Sequence, residues 1–224
     1  MTQPTEQQAQ QEQEEDANSL LPALAVVLAA YASYGATKGT VTGSWQQIAN
    51  TLQLPDTIGG ALYRVADRAL ARQREGSSNR RAEALLATAD RAREAGHDAG
   101  MQILTKAAKS VVRNVHDNPP TPGETPEYLD PERLHNLVAH AVISSAQMSA
   151  ADGIGLTRKR WHNVGDTRVR TSHAILGSRN YPGSTVPISD NFVTPEGIEL
   201  RFPGDPRAPL DEVIGCRCWL TFHP

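Results

Sequence analysis

The chain has 224 residues, a net charge of -3 and only 5% aromatic residues within a hydrophobic content of 39%. A core must therefore be built mainly from Ala, Leu, Val and Ile, which favours close-packed helices with small contact faces. The two cysteines, Cys216 and Cys218, stand one residue apart, a spacing that closes no useful disulfide loop and suits a reducing cytoplasm.

Residues 1–18 hold Glu6, Glu12, Glu14, Glu15 and Asp16 among glutamines, with no basic residue. Such a segment buries too little apolar surface to offset its ordering entropy, so a disordered acidic tail is expected. Leu20–Tyr34 is an apolar run, but it follows an acidic stretch, contains Pro22 and is shorter than the roughly 20 residues a bilayer span needs. It predicts a buried or partner-facing helix over about 20–32, with no membrane partner and no signal peptide. Ser44 caps a short helix with Trp45, Ile48, Ala49 and Leu52 on one face. Pro55-Asp56 reads as a break, and Leu62, Val65, Ala66, Ala69 and Leu70 make the next helical face.

The longest helical pattern runs from about Arg80 to His116, with Gly96 and Gly100 as places where it would kink or divide. Residues 19–116 thus form a helical region, and 117–130, with four prolines, a linker. Asp130-Pro131-Glu132 supplies a cap, an N1 proline and an early acid for a helix over 131–152 that buries Leu134, Leu137, Val138, Ala141 and Met148. Beyond Leu156 the helical rhythm gives way to short apolar pieces at 168–170, 185–188, 198–202 and 218–222, separated by turns, which predict short strands. The fold class expected is α+β: a mainly helical N-terminal two-thirds and a small module, completing 131–224, of short strands and loops.

The chemically capable residues concentrate in that module. On an extended chain Asp166, Arg168 and Arg170 share one side, and three readings stay open for them. Asp166 can pair with an Arg and organise the fold around Trp161. Alternatively Arg158, Lys159, Arg160, Arg168 and Arg170, with Arg179 and Trp161, can track nucleic-acid phosphates. The third reading is an active site. Cys216 and Cys218 can be small core residues, two ligands of a zinc ion completed by His173 and His162, or a thiol nucleophile beside a His173 base. Pro203-Gly204-Asp205-Pro206 is a turn in which Gly supplies positive φ and Asp205 caps local amides. Residues 45–72 have the apolar skeleton of a helix-turn-helix, with Arg64, Arg68 and Arg72 along one face, but Gln53 stands where the turn wants Gly.

Taken together, Trp161, Asp166-x-Arg168-x-Arg170-x-x-His173, Pro203-Gly204-Asp205-Pro206 and Cys216-Arg217-Cys218 resemble, in that order, the C-terminal signature of the Mu F-like phage head morphogenesis proteins. The resemblance covers about the last 65 residues and extends to the preceding helix. Gly215 stands where the family pattern has Asn, and the stretch after Leu176 is longer and more polar than the family's Asp-Gly. The resemblance implies a minor capsid protein of a tailed phage or prophage, found in the virion and in the host cytoplasm during assembly. Its implied partners are the portal protein, capsid or scaffolding protein and packaged DNA, and its implied role is in head assembly, packaging or ejection. It carries Trp161, Asp166, Gly204, Asp205 and Arg217 as structural motif positions, and implies no catalytic residue. Some relatives append toxin domains; none is expected here, where the sequence closes at Pro224. Two other classes remain: a small Cys/His or metal-dependent hydrolase or nuclease of head maturation, and a DNA-binding regulator using residues 45–72.

Overall fold

A computed structural model describes residues 54–75, 78–117 and 131–224. The acidic tail, the apolar run at 20–34, the short helix after Ser44, the first half of the helix-turn-helix pattern and nearly all of the 117–130 linker lie outside the described residues. The fold class is the expected one, a helical N-terminal part and a C-terminal part with antiparallel strands.

Helix α1 spans Leu54–Glu75. Pro55 and Asp56 sit in its first turn rather than in a break, because a proline there sacrifices an amide that has no helical partner anyway. Its Ile58, Leu62, Val65, Ala66 and Ala69 are buried, whereas Arg64 and Arg68 are exposed.

The long pattern from Arg80 divides, but not at its glycines. Helix α2, Asn79–Ala87, ends at Thr88, and α3 runs unbroken from Ala89 to Asp117 through Gly96 and Gly100. Those glycines are places of close helix approach. A Cβ on Gly96 would lie 3.0 Å from the Val142 carbonyl and 3.2 Å from the Ala66 Cβ. One on Gly100 would lie 2.7 Å from Val142 Cγ2 and 3.0 Å from Leu62 Cδ2. The cost of glycine in a helix interior is thus offset by packing that a methyl would obstruct.

Helix α4, Pro131–Gly153, lies at the centre of the described residues. Between Leu134 and Ala151 only Asn136 is exposed, so the helix is enclosed on nearly all sides rather than on the single face that its strongest apolar positions suggest. It packs against α1 and α3 and also against the C-terminal strands. Ser145 Oγ donates to the Ala95 carbonyl of α3 at 2.9 Å, and Arg91 pairs with Asp152 at 2.6 Å.

After Gly155, β1 (Arg158–His162) occupies the middle of a three-stranded antiparallel sheet between β2 (Thr185–Pro187) and β5 (Trp219–His223). The registers pair Arg160 with Thr185 on one side and with Thr221 on the other. A second antiparallel pair joins β3 (Phe192–Val193) to β4 (Glu199–Leu200). Of the two short helices, α5 (Thr171–Leu176) carries His173 and α6 (Leu210–Val213) precedes the cysteines. The expected strand at 168–170 is instead a tight turn, Val169 N–H donating to the Asp166 carbonyl at 3.2 Å, because Asp166 Oδ1 captures the Arg168 amide at 3.0 Å. One buried cluster runs from Ile58 and Leu62 through Val142 to Trp161, Phe192 and Leu220, uniting helices and strands, and a smaller second one holds Leu70, Leu85, Ala92 and Ala150. No helix among the described residues is long and apolar enough to cross a membrane.

Gly100→Ala is expected to destabilise the chain by about 1–2 kcal/mol, overpacking outweighing the gain in helix propensity. Gly60→Ala, on an exposed face of α1 where the new methyl meets only the Arg64 side chain at 3.5 Å, should stabilise by up to about 1 kcal/mol. Denaturant unfolding of both variants checks the pair.

Candidate functional site

Alternation along β1 decides the fate of the basic cluster. Lys159 and Trp161 point inward and are fully buried, while Arg158, Arg160 and His162 face out. Lys159 therefore cannot contact a phosphate, contrary to the sequence expectation. Its Nζ donates to the Arg201 carbonyl at 2.7 Å, lies 3.7 Å from Met148 Sδ and sits 5.2 Å from the Phe192 ring centre. Burial and the Arg201 charge bring its pKa down to about 8. Arg170 is likewise committed, donating to the Ile214 carbonyl. Arg158 and Arg168 remain exposed and Arg160 half-buried on the outer surface.

The expected network of Trp161, Asp166 and Arg170 does not form. Asp166 instead joins Arg217 at 2.6 Å and Arg168 at 3.5 Å, and the Arg217 hydrogen bond holds its carboxyl at about 2. Trp161 packs edge-on to His173 and to Phe192, each with ring centres 5.1 Å apart.

Around Trp161 the sulfurs gather. Gly215 adopts φ +66 after α6, and Cys216, Arg217 and Cys218 then lead into β5. Arg217 turns out to Asp166 and both cysteines turn in. On α5, His173 Nδ1 stands 3.5 Å from Cys216 Sγ and 3.5 Å from Cys218 Sγ. These three are the metal-ligand candidates of the sequence, and the fold brings them together with all three atoms within 4.8 Å of one another. His162 is excluded from the set. Its Nε2 lies 2.9 Å from Thr221 Oγ1, its ring stacks on Trp219, and burial with the Arg160 charge holds it at about 4.

Three further residues support the cluster. His173 Nε2 lies 3.1 Å from Glu212 Oε1, off the line of a well-formed hydrogen bond, and Glu212 accepts from Ser172 Oγ at 2.9 Å. His140 of α4 donates from Nε2 to the Cys218 carbonyl at 3.1 Å, and burial lowers its pKa. The hydrogen bond between the two sulfurs moves Cys216 well below and Cys218 well above the usual thiol range. Glu212, Ser172 and His140 had no signal in the sequence: Glu212 sits in an ordinary Leu-Asp-Glu-Val turn, and His140 reads as one more core position of a helix.

The Pro-Gly-Asp-Pro turn braces the same region from below. Gly204, at φ +81, presses against α4, where a Cβ would stand 3.0 Å from the Ala141 amide nitrogen and 3.1 Å from His140 Cβ. Asp205, 1% exposed, accepts from the amides of Arg201 at 2.7 Å and Arg207 at 3.0 Å and pairs with the Arg207 guanidinium at 2.8 Å. Burial pushes its pKa up, but the hydrogen bonds from Arg207 and Arg201 outweigh it, so the carboxyl titrates below its ordinary value. Lys106 of α3 donates to the carbonyls of Pro206 and Ala208, tying the turn to the helices.

No protein-family model matches the chain, and neither a curated protein nor a solved structure shows significant similarity to it. The site is thus defined by its own geometry: an α+β protein with a buried Cys2His cluster under a three-stranded sheet.

The buried Lys159 yields a pH prediction. Its folded pKa of about 8 lies below the ordinary 10.5, so between those values the unfolded chain holds more protons and stability rises with pH. The unfolding free energy of the native chain minus that of Lys159→Met should therefore increase across this window, by on the order of 2 kcal/mol. Denaturant titrations at both ends of the window measure it.

Proposed function

We propose that the protein is a minor capsid protein of a tailed phage or prophage, associated with the portal vertex and acting in head assembly, DNA packaging or ejection. One observation carries the reading beyond the order of its motifs. Blocks spread from Trp161 to Cys218 converge on one structural unit: Trp161 on His173, His173 on both sulfurs, Asp166 on Arg217, and Gly204 on the helix turn whose His140 holds Cys218. A signature whose members hold each other in place suits a scaffold. The row Cys216, His173, Glu212 has the order of a nucleophile, a base and an orienter. Against an enzyme, Cys216 is 6% exposed, Cys218 1% and His173 2%, which leaves a substrate no approach.

The helical region before residue 117 is the part assigned to the portal. DNA is assigned to the outer face of the sheet, where Arg158, Arg160 and His162 of β1 lie beside Trp219, Thr221 and His223 of β5. Basic and stacked aromatic groups with no carboxylate on either strand favour phosphate and base contact without sequence readout.

Mass spectrometry of purified particles and of DNA-free proheads tests the assignment: the protein should be present in both at a few copies per portal ring. Absence from both rejects it. On duplex DNA, the native chain should bind with a strong salt dependence and no sequence preference. Arg158→Ala with Arg160→Ala should lower the slope of log Kobs against log salt by about 2, as read by fluorescence anisotropy.

A further inference from the structure

We propose that His173, Cys216 and Cys218 are the protein ligands of a tetrahedral zinc ion, whose fourth position is taken by water. The inference goes beyond the head-protein reading and does not rest on it.

Distance is the first argument. With Zn–S about 2.3 Å and Zn–N about 2.0–2.1 Å, a tetrahedral angle places sulfur and nitrogen about 3.6 Å apart. His173 Nδ1 lies 3.5 Å from each of the two sulfurs. Both spacings are close to those that a single zinc ion between the atoms would set, and all three atoms lie within 4.8 Å of one another.

The surroundings of the ligands are those that zinc sites need. A metal-bound imidazole usually presents its second nitrogen to a carboxylate, which fixes ring orientation and tautomer. His173 Nε2 faces Glu212 Oε1 at 3.1 Å, and Ser172 in turn donates to that oxygen at 2.9 Å. Trp161 Nε1 is buried with no hydrogen-bond partner, and its ring packs edge-on to the His173 ring at 5.1 Å. His140 stands outside the ligand set, its Nε2 spent on the Cys218 carbonyl.

The competing readings account for less. Two cysteines serving only as small core residues have no need of a buried histidine, a glutamate and a serine aligned behind them. A disulfide between residues so close in sequence strains its own ring. Charge favours the metal: two thiolates against a divalent cation and a neutral imidazole leave the buried site without net charge. Binding takes both cysteines as thiolates, any proton still on them leaving to solvent, and the ion then links α5 to the segment after α6 across the 43 and 45 residues separating His173 from the two cysteines.

The test uses the full chain. Metal content measured by elemental mass spectrometry should be one zinc per chain. Cobalt(II) exchanged into the site should give the visible bands of tetrahedral geometry together with near-ultraviolet thiolate charge transfer. Cys216→Ser with Cys218→Ser should lose both. Glu212→Gln should still load cobalt but release it to a competing chelator about 10–100-fold more readily. The proposal is overturned if the native chain takes up neither metal, if its cobalt spectrum lacks thiolate bands, or if the double variant keeps full stoichiometry. Unchanged affinity in Glu212→Gln overturns the carboxylate's part. Should the double variant not fold, the native cobalt spectrum decides alone. A metal-free chain found in particles would reject the zinc site and leave the capsid reading standing, while a zinc-loaded chain absent from particles would do the reverse.

Discussion

The packing of the described residues leans on α4. A helix that is enclosed on one stripe can be approached from one side, whereas α4 is enclosed by α1 and α3 on one side and by the sheet and the Pro-Gly-Asp-Pro turn on the other. Enclosure of that kind requires small side chains at the contacts, since a large residue on one face would displace a neighbour. Ala139, Ala141, Ala146, Ala150 and Ala151 meet that need along α4, and Gly96 and Gly100 meet it on α3. The scarcity of aromatic residues follows from the same constraint. Where the chain does spend aromatics, at Trp161 and Phe192, they fill the gap between α4 and the sheet.

The second organising device is a division of labour by strand alternation. The inward side of β1 sends Trp161 to the sulfur cluster and Lys159 to the Arg201 carbonyl, while its outward side holds Arg158 exposed and Arg160 half-buried. A buried ammonium is costly, and here it is tolerated because a carbonyl, a thioether and an aromatic face receive it. In the cluster around His173 the ring nitrogens likewise face polar groups, Nδ1 the two sulfurs and Nε2 Glu212.

Periodicity made the helices legible, because Leu62, Val65, Ala66 and Ala69 or Leu134, Leu137 and Val138 recur at the spacing that a buried stripe demands. The three candidate ligands were legible from type and placement alone: two cysteines on alternate positions and a histidine upstream. What failed was information that only tertiary contact supplies. Gly96 and Gly100 looked like breaks because local propensity sees their flexibility and not the neighbouring helices. Lys159 looked like a surface cation because charge is read before depth. The turn at 166–169 and the short helix α5 were hidden because an Asp side chain capturing an amide two residues on gives no periodic signal. Glu212 was invisible for a related reason: its role exists only through His173.

Because α4 serves as a wall for both the helices and the sheet, the signature-bearing part cannot be lifted out as an independent piece. A fragment starting at residue 131 would present the Val142 and Ala146 side of the helix to water, and one starting after 153 would leave Gly204 and Trp161 with no surface to press against. A stable piece of this chain must therefore include the helix together with whatever covers its far side, and is larger than the segment that bears the cysteines and His173.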